Sequence, residues 1–477
     1  MAVPAGADEV VRPDTVLMRI FTQQHAQSRA GIAAPWSVRA DRLQRLRALL
    51  LGQRGPLAAA ISADFGQRSR HETELLEITP VLDAIAHSLG HGRRWMRPLP
   101  RRPGYKFLPS RGWLLPQPLG VVGIVVPWNY PLFLSLGAAQ GALTAGNRVS
   151  IKVSELTPRY GALLADLVEK AFAVDEMRVF NGDAAFSRGF CQLPFDHLLF
   201  TGSTAVGRHV MRAASGNLTP VTLELGGKSP AIVGPGADFA QAVRRIVVGK
   251  MLNAGQTCIA PDYALVPQAR LADFADAARS AVGRLYPSLA DTPDYTSIIS
   301  DHHFARLQGL VDDALARGAR AWPLSDAQND ARRRLFAPVA LSGLEPDAIA
   351  LQDEIFGPVL PLVGYASLDE AIAWINARPR PLALYLFERQ RATIDKVMAE
   401  TVSGGVTVND TLLHAGVDSL PFGGVGASGM GAYHGEEGFR TFSHLKPVLM
   451  RARISLLPWL YPPFGPRAER LLRMPRK

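Results

Sequence analysis

Cysteine and lysine are both scarce in this chain, and long apolar runs are missing. Only two of the 477 residues are cysteines, Cys191 and Cys258. They lack CxxC spacing and lie in no Cys/His cluster, which argues against a disulfide scaffold and against a metal site such as zinc. No uninterrupted apolar segment is long enough to span a bilayer, and the first residues lack a signal-peptide pattern, so we expect a cytoplasmic protein without an integral membrane segment.

Positive charge is in excess but is not concentrated in one place. The chain carries a formal net charge of +10, and only 8 of its 52 basic residues are lysines. Because the arginines are scattered and no helix-turn-helix or zinc-finger spacing accompanies them, we expect no nucleic-acid partner. The tail 451–477 has seven basic residues and one acidic residue. Three prolines in its apolar stretch disfavour an amphipathic helix, so we expect a docked structural tail rather than a membrane contact.

The chain alternates between helical and strand-like patterns. Residues 35–94 carry apolar side chains at helical spacing, which predicts an N-terminal helical layer. These apolar positions are Leu43, Leu46 and Leu50, then Leu75, Ile78, Leu82 and Ile85. Residues 98–118 are rich in proline and arginine and predict an extended connection. Beyond them, apolar runs are each followed by a helix-like stretch, as in VVGIVVP before PLFLSLGAAQGAL, which predicts a parallel α/β sheet, and a second α/β pattern resumes at PAIVG.

Cys258 lies in the segment NAGQTCIAP. An isolated cysteine is usually a small buried hydrophobic residue, and the thiol alone leaves that alternative open. The glycine and two polar residues before it leave the backbone open, so a substrate can approach and the Cys258 N–H can face a developing oxyanion. Cys258 is therefore the candidate nucleophile, whereas Cys191, in GFCQLPFD, is expected to be structural.

Two further polar residues follow strand-like runs. Glu224 lies near the end of VTLEL, before two glycines, and Asn129 lies in PWNYP after VVGIVV. A glutamate at a strand end can simply face solvent, and an asparagine between prolines can simply form a turn. At the C-terminal edge of a parallel sheet, however, the carboxylate is well placed as a general base and the amide as an oxyanion donor.

Two segments could hold a nucleotide. GSTAVG, residues 202–207, follows HLLFT and opens a helix, so its amides could meet a phosphate. It is neither a P-loop nor a GxGxxG motif. KVSE, residues 152–155, also follows a strand and could place Lys152 and Glu155 near adenine-ribose hydroxyls. The alternative is a helix start with Ser154 as the cap and Glu155 in the first turn.

As a set, the motifs PWNYP, KVSE, FTGSTAVG, LELGGKSP, NAGQTC and EIFGP resemble the aldehyde dehydrogenase superfamily, in the family's order and spacing, from Pro35 to His444. The closing stretch VNDTLLHAGVDSLPFGGVGASGMGAYHGEEGFRTFSH looks like the class 3 branch, which is typically dimeric. Within that branch, NAGQTCIAPDY looks most similar to bacterial coniferyl aldehyde dehydrogenases.

The resemblance implies a role for particular side chains. It makes Cys258 the nucleophile, Glu224 the general base and Asn129 the oxyanion amide, and we expect Tyr130 beside Asn129 to line the substrate pocket. The residues implied to contact the cofactor are Lys152, Glu155, Gly202, Ser203, Gly207, Glu354 and Phe356. We expect NAD to be preferred to NADP, because Glu155 would accept from a ribose 2′-OH but repel a 2′-phosphate.

The resemblance also implies an α/β fold with a Rossmann-like parallel-sheet cofactor domain, an α/β catalytic domain and a small oligomerisation arm. We expect the cofactor domain at 1–97 and 115–224, the catalytic domain at 225–415 and the arm at 98–114 and 416–450. The implied reaction is oxidation of a bulky, preferably aromatic aldehyde to its acid by a homodimer. Two alternatives stay open: acyl transfer to coenzyme A or phosphate on the same fold, and a non-enzymatic protein on this scaffold.

Overall fold

The computed structural model describes residues 14–31, 34–104, 107–454 and 457–473. The α-helices are α1 (Thr15–Ala30), α2 (Trp36–Gly52), α3 (Arg54–Phe65), α4 (Arg70–Thr73), α5 (Thr79–Trp95), α6 (Pro131–Ala145), α7 (Pro158–Ala171), α8 (Ala184–Cys191), α9 (Thr204–Ser215), α10 (Phe239–Met251), α11 (Leu271–Leu285), α12 (Asp301–Ala316), α13 (Ile349–Gln352), α14 (Leu368–Asn376), α15 (Arg391–Glu400), α16 (Gly435–Thr441) and α17 (Pro466–Leu472). The strands are β1 (Leu99–Arg101), β2 (Arg111–Pro118), β3 (Val121–Val125), β4 (Arg148–Lys152), β5 (Met177–Phe180), β6 (His197–Gly202), β7 (Val221–Leu225), β8 (Pro230–Val233), β9 (Tyr263–Pro267), β10 (Arg320–Pro323), β11 (Val339–Ser342), β12 (Val359–Tyr365), β13 (Ala383–Phe387), β14 (Gly405–Val408), β15 (Gly429–Met430) and β16 (Ser443–Met450).

Six strands form the first sheet, in the order β15-β7-β6-β3-β4-β5. All neighbouring strands are parallel except β15, which pairs antiparallel with β7. The parallel strand that comes first in the chain, β3, lies between β4 and β6, so the strand order reverses beside it. In open α/β sheets, ligands bind outside the carboxyl ends of the strands at such a reversal. The predicted Rossmann-like parallel sheet is confirmed.

Seven strands form the second sheet, in the order β10-β11-β12-β9-β8-β13-β14. Only β10 is antiparallel to its neighbour. All residues of β3, β8 and β13 are buried, which fits parallel strands covered on both faces and explains their continuous apolar sequences. The predicted second α/β unit is therefore present, and a short segment with two glycines joins β7 of the first sheet to β8 of the second.

The N-terminal helices pack through their apolar faces, α1 on β3 and β4 of the first sheet and α2 on helices α5, α6 and α7. Leu43, Leu46 and Leu50 of α2 are fully buried, as the helical spacing predicts. Leu75, by contrast, is 67% exposed, so its predicted core position is wrong. It lies in a π-helical turn, Glu74–Ile78, whose wider turn shifts the buried face of the helix.

The segment rich in proline and arginine forms part of a small antiparallel sheet of β1, β2 and β16. Strand β16 pairs with β2 over its whole length, from Ser443 opposite Pro118 to Met450 opposite Arg111. This sheet corresponds to the predicted arm but differs in extent. Strand β2 continues beyond the predicted boundary to Pro118. Within 416–450, only β16 belongs to this sheet, because β15 pairs with β7 and α16 packs on α5 and α6.

Helix α17 of the C-terminal tail buries Ala468 and Leu471 and packs on the turn Leu457–Leu460 of the same tail, whereas Ile454 and Phe464 are exposed. Docking of the tail stays a prediction. The predicted tail also includes 455–456 and 474–477, and the predicted cofactor domain includes 1–13 and 32–33, which lie outside the described residues. Within the described ranges, no helix has the length and apolar character needed to cross a membrane.

Candidate active site

Cys258 follows a tight turn after α10. The 3-10 turn Leu252–Gly255 has positive φ angles at Asn253 (53°), Ala254 (49°) and Gly255 (75°). A Cβ atom at Gly255 would lie 2.3 Å from the main-chain oxygen of Gly357, so a larger residue cannot fit without moving backbone. The close approach of Gly357 therefore explains why a glycine is needed at position 255.

The side chain of Gln256 anchors the loop that carries the thiol. Its Nε2 donates to the main-chain oxygens of Asn253 (3.0 Å) and Ser297 (3.1 Å), and its Oε1 accepts from the Ile299 N–H (3.0 Å). Gln256 is fully buried. The sequence suggests only a small polar residue here, whereas the structure assigns it a complete set of anchoring hydrogen bonds.

The Cys258 side chain is half-buried, unlike that of Cys191, which is buried at the end of α8. Burial raises the pKa of the Cys258 thiol to about 12, and the carboxylates of Glu354 and Glu224 raise it further, while the main-chain amides of Cys258 and Ile259 oppose the shift. The thiol is therefore protonated at neutral pH in this state. A nearby base is needed to generate the thiolate, which is the nucleophilic form.

Glu224 is the carboxylate predicted for this role. It is 2% exposed, and neither of its carboxylate oxygens has a hydrogen-bond partner among the described residues. Burial alone raises its pKa well above the ordinary glutamate range. The alternative of a solvent-facing glutamate is wrong, because β15 pairs with β7 at this position, with Gly429 opposite Glu224. Burial raises the pKa of the Tyr433 hydroxyl well above its ordinary value, and Glu224 and Cys258 add to this rise.

Asn129 lies in the loop after β3, beside the turn that carries the thiol. Its Nδ2 donates to the main-chain oxygen of Gln256 at 3.2 Å. Its own main-chain oxygen accepts from Asn253 Nδ2 at 3.0 Å and from Arg68 Nη1 at 3.2 Å. The side-chain amide is thus tied to the loop that carries Cys258, and a primary amide has a second N–H group that this hydrogen bond does not use.

Tyr130 supports the same loop. Its hydroxyl lies 2.8 Å from Oγ1 of Thr257, the residue before Cys258, and only 7% of Tyr130 is exposed. The Arg68 guanidinium lies over its ring, 4.9 Å from the centroid. The structure therefore gives Tyr130 a contact that orients the loop, while its place in a substrate pocket stays a prediction.

The segment GSTAVG joins β6 to α9, as the sequence predicts. Ser203 is the N-cap of α9 and accepts from the Val206 N–H. A Cβ at Gly207 would lie 2.6 Å from Leu225 Cδ2, and one at Gly202 would lie 2.5 Å from Phe200 Cζ. Both glycines thus allow close packing of the helix and loop against the sheet, and the free amides of the helix start suit a phosphate.

Lys152 and Glu155 follow β4. Lys152 is buried, and its Nζ donates to the Val153 main-chain oxygen; burial lowers the pKa of its ammonium, with Glu155 opposing the shift. Glu155 is exposed in a turn. The alternative of a helix start here is wrong, because α7 begins only at Pro158 and Ser154 accepts from Leu156 within the turn. Neither Lys152 nor Glu155 therefore takes part in a helix start.

Glu354 and Phe356 follow α13. Burial and the neighbouring Asp262 raise the pKa of Glu354 to about 8, while the Gly227 N–H, Lys228 and Arg306 oppose the shift. A Cβ at Gly226 would lie 2.0 Å from Glu354 Oε2, so the carboxylate rests against the loop after β7. Phe356 has a φ of 51° and its ring packs edge-on against Trp128 at 5.3 Å.

Two basic side chains hold the segment that carries Glu354, and the sequence analysis assigns them no role. Lys228 pairs with Asp262 and donates to the main-chain oxygens of Ala350 (2.9 Å) and Asp353 (2.8 Å). Arg306 donates to the main-chain oxygens of Glu354 (3.2 Å) and Ile355. Lys228 lies in LELGGKSP, so its position was visible in the sequence, but its partners come from distant parts of the chain.

The site fits a nicotinamide cofactor. The start of α9 suits a phosphate, and Glu354 Oε1 is a buried oxygen without a hydrogen-bond partner among the described residues. The exposed Glu155 and the ammonium of Lys152 lie together at the end of β4. These are acceptors and donors of the kind that hold ribose hydroxyls, and they lie at the sheet edge where dinucleotides bind.

The comparisons with known proteins agree with this geometry. Residues 20–448 match the family model described as "Aldehyde dehydrogenase family". The chain belongs to the aldehyde dehydrogenase family. The resemblance inferred from the motifs is confirmed.

This aldehyde dehydrogenase is similar to relatives over nearly its whole length. It is 48% identical to a protein of Pseudomonas aeruginosa named "Probable coniferyl aldehyde dehydrogenase", covering 96% of this chain and 95% of that protein. It is 40% identical to the mouse "Aldehyde dehydrogenase family 3 member A2", covering 89% and 86%. A solved structure of Staphylococcus aureus AldH in a substrate-bound state superposes with a TM-score of 0.89 at 34% identity, covering 96% of this chain and 99% of that one. Both the family 3 branch and the enzymatic class are thereby supported, against the non-enzymatic alternative.

Proposed function

We propose that this aldehyde dehydrogenase oxidises bulky aromatic aldehydes of the coniferaldehyde type to their carboxylic acids, with NAD as the preferred cofactor. The observation that carries the mechanism is a buried carboxylate, Glu224, whose oxygens have no hydrogen-bond partner among the described residues, together with a half-buried thiol, Cys258, on a loop that is hydrogen-bonded to Asn129. The substrate class is supported by the name of the Pseudomonas aeruginosa relative. An aromatic residue beside the thiol supports it too, since the buried Tyr385 donates its hydroxyl hydrogen to the main-chain oxygen of Ile259, the residue after Cys258.

In the proposed reaction, the Cys258 sulfur attacks the aldehyde carbon after its proton passes to a nearby carboxylate. The oxygen of the resulting thiohemiacetal accepts from an amide hydrogen of Asn129 and from the Cys258 main-chain N–H. A nicotinamide cofactor held by the residues named below would supply the hydride acceptor that turns the thiohemiacetal into a thioester. Glu224 then takes a proton from a water molecule as its oxygen attacks the thioester carbon; the carbon–sulfur bond breaks, the acid leaves, and the Cys258 sulfur takes back a proton from a carboxylate.

The residues proposed to hold the cofactor are Lys152, Glu155, Gly202, Ser203, Gly207, Glu354 and Phe356. The preference for NAD is supported by the exposed carboxylate of Glu155, which would repel a 2′-phosphate. Lys152 softens this repulsion less than a surface lysine would, because its Nζ already donates to a main-chain oxygen.

A panel of aldehydes tests the substrate class. The purified full chain is mixed with coniferaldehyde, benzaldehyde or acetaldehyde and with NAD or NADP, and the reduced cofactor is followed by absorbance. We expect the highest kcat/KM with the aryl aldehydes, and an acetaldehyde value above both would contradict the proposal. Added coenzyme A should change neither rate nor product; formation of the acyl-coenzyme A would instead identify the acyl-transfer alternative.

The matched control for the nucleophile is the other cysteine. Cys258→Ala should abolish formation of reduced cofactor, whereas Cys191→Ala, a change at a buried thiol of α8, should leave most of the activity. Equal losses in both variants would show that the thiol assignment is wrong.

We also propose that the protein is a cytoplasmic homodimer. In the described residues, β16 pairs only with β2 and therefore has one unpaired edge, which suits pairing with a second copy. Sedimentation velocity tests the dimer and cell fractionation tests the compartment; a monomer or a membrane-pelleted protein would contradict the proposal.

A further inference from the structure

A buried cluster of one arginine and two glutamates lies behind the candidate active site. It consists of Arg68, Glu72 and Glu77, which come from the N-terminal helical layer rather than from either large sheet. Arg68 and Glu77 form an ion pair, with 2.7 Å between Arg68 Nη1 and Glu77 Oε1, and both side chains are 0% exposed. Removing charges from water is costly, so a fully buried pair without a role is unexpected.

The cluster is connected to the oxyanion amide through its main chain. Arg68 Nη1 donates to the main-chain oxygen of Asn129 at 3.2 Å. The second donor to this oxygen is Asn253 Nδ2 at 3.0 Å, and the Asn253 main-chain N–H in turn donates to Glu72 Oε1 at 3.1 Å. Both hydrogen bonds that hold the Asn129 carbonyl therefore lead back to the cluster.

The same contacts link Asn129 to the nucleophile loop. Asn253 Nδ2 also donates to the Gln256 main-chain oxygen at 3.1 Å, which is the oxygen that accepts from Asn129 Nδ2 at 3.2 Å. Glu72 Oε2 accepts from Thr296 Oγ1 at 2.9 Å, so it is anchored on its other side as well.

Glu77 fixes the start of the helix that follows Asn129. Its Oε2 accepts from the main-chain N–H groups of Leu132 (2.7 Å) and Phe133 (3.2 Å), in the first turn of α6, which has no side-chain cap of its own. Glu77 lies in the π-helical turn Glu74–Ile78, a type of turn that is often found at functional sites. The guanidinium is held from another side by the rings of Phe65 and Tyr130, whose centroids lie 5.1 Å and 4.9 Å from Arg68 Cζ.

We propose that Arg68, fixed by Glu77, is a positioning residue that sets the place of the Asn129 amide relative to Cys258. This inference rests on the proposed role of Asn129 as oxyanion donor. Arg68 touches neither substrate nor cofactor in this account and acts only through Asn129. Its loss should therefore lower the rate of steps that pass through an oxyanion, because a displacement of about 1 Å at such a site can cost about 10²-fold in rate.

A double-mutant cycle on the full chain tests this. Arg68→Met, Asn129→Ala and the double variant are compared with the unmodified enzyme by kcat/KM for coniferaldehyde and by the rate of the first turnover. We expect Arg68→Met to lower kcat/KM and the rate of the first turnover by about 10- to 100-fold. When Asn129 is already alanine, the same change should lower these two rates by less than about threefold further, because the effects of residues that act as a unit are not additive. Equal losses from Arg68→Met in both backgrounds would overturn the proposal.

The cycle also separates this inference from the proposed function. If Asn129→Ala retains the full rate, the oxyanion assignment fails and the positioning role with it. If Asn129→Ala loses about 10²-fold or more but Arg68→Met alone has no effect, only the positioning role fails.

Two further variants control for stability. Arg42→Met removes another buried guanidinium, which pairs with Glu176 (3.0 Å) in the same helical layer without contacting Asn129. It should keep kcat/KM within about threefold, consistent with sites that share no partners. If Arg68→Met does not fold, Arg68→Met combined with Glu77→Gln removes both charges and keeps an acceptor for the start of α6. Its kcat/KM should stay about 10- to 100-fold low; restoration to the unmodified value would show that Arg68 has only a structural role.

Discussion

Glu224→Gln should separate the two halves of the catalytic cycle. The thiol at Cys258 is needed before the hydride leaves, whereas Glu224 is proposed to be needed most for the attack of water afterwards. Glutamine keeps the size of glutamate but has no basicity at neutral pH. The variant should therefore release reduced cofactor in a first burst and then turn over slowly.

The structure suggests the size of this effect. Glu224 is 2% exposed and neither of its carboxylate oxygens has a hydrogen-bond partner among the described residues, so both oxygens are free to accept a proton. Burial raises the pKa of Glu224 well above the ordinary glutamate range, so its carboxylate is a stronger base than that of an exposed glutamate. Loss of such a base costs roughly 10²–10⁴-fold in the steady rate, while the burst should reach up to about one reduced cofactor per site.

Rapid mixing with absorbance detection gives the burst, and acid quench with intact-mass analysis gives the stalled thioester. Cys258→Ala is the reference, because it should show neither the burst nor the mass increase while still binding the cofactor. If Glu224 also activates the thiol, the burst will be slower but will keep its amplitude. Normal steady turnover by Glu224→Gln, or a burst from Cys258→Ala, would refute the role assignment.

Three other variants and conditions give expected outcomes. Glu155→Gln should narrow the preference for NAD over NADP, measured as the ratio of kcat/KM values, and a strong NADP preference that this change leaves unaltered would contradict the assignment. Gly255→Ala should destabilise the fold by about 1–3 kcal/mol in chemical unfolding and abolish the burst, because its φ of 75° and its approach to Gly357 exclude a side chain; an active, equally stable variant would refute the steric argument. Burial raises the folded-state pKa of Glu224 above 4.5, so the charged form of this carboxylate destabilises the fold. This destabilisation is absent below about pH 4.5 and grows as the pH rises toward the folded-state pKa. Glu224→Gln should therefore raise Tm more at mildly alkaline pH than near pH 4.5, and an equal gain at both would contradict the raised pKa.

Several features of the site could be predicted because they depend on short contiguous segments. The alternation of apolar runs and helix-like stretches predicted both parallel sheets, since a strand covered on both faces has a continuous apolar sequence. The open backbone before Cys258 and the helix start after β6 could be predicted too, because each feature lies within one short segment of the chain. Local patterns failed where a nearby element shifted the periodicity. At Leu75 the π-helical turn rotates the buried face, and at Ser154 the chain forms a turn and delays the helix to Pro158.

The sequence alone is enough to predict which residues are candidates for the chemistry and in which order the strands and helices occur. The environment of those residues was decided by the tertiary structure. Glu224 lies opposite a residue of β15, a strand about two hundred residues further along the chain that pairs with β7. The main-chain oxygen of Asn129 accepts hydrogen bonds from Arg68 and Asn253, which lie in separate elements. Periodicity reports only on neighbours along the chain. Burial, raised pKa values and ion pairs depend on segments that meet only after folding, because desolvation and pairing are set by distance in space.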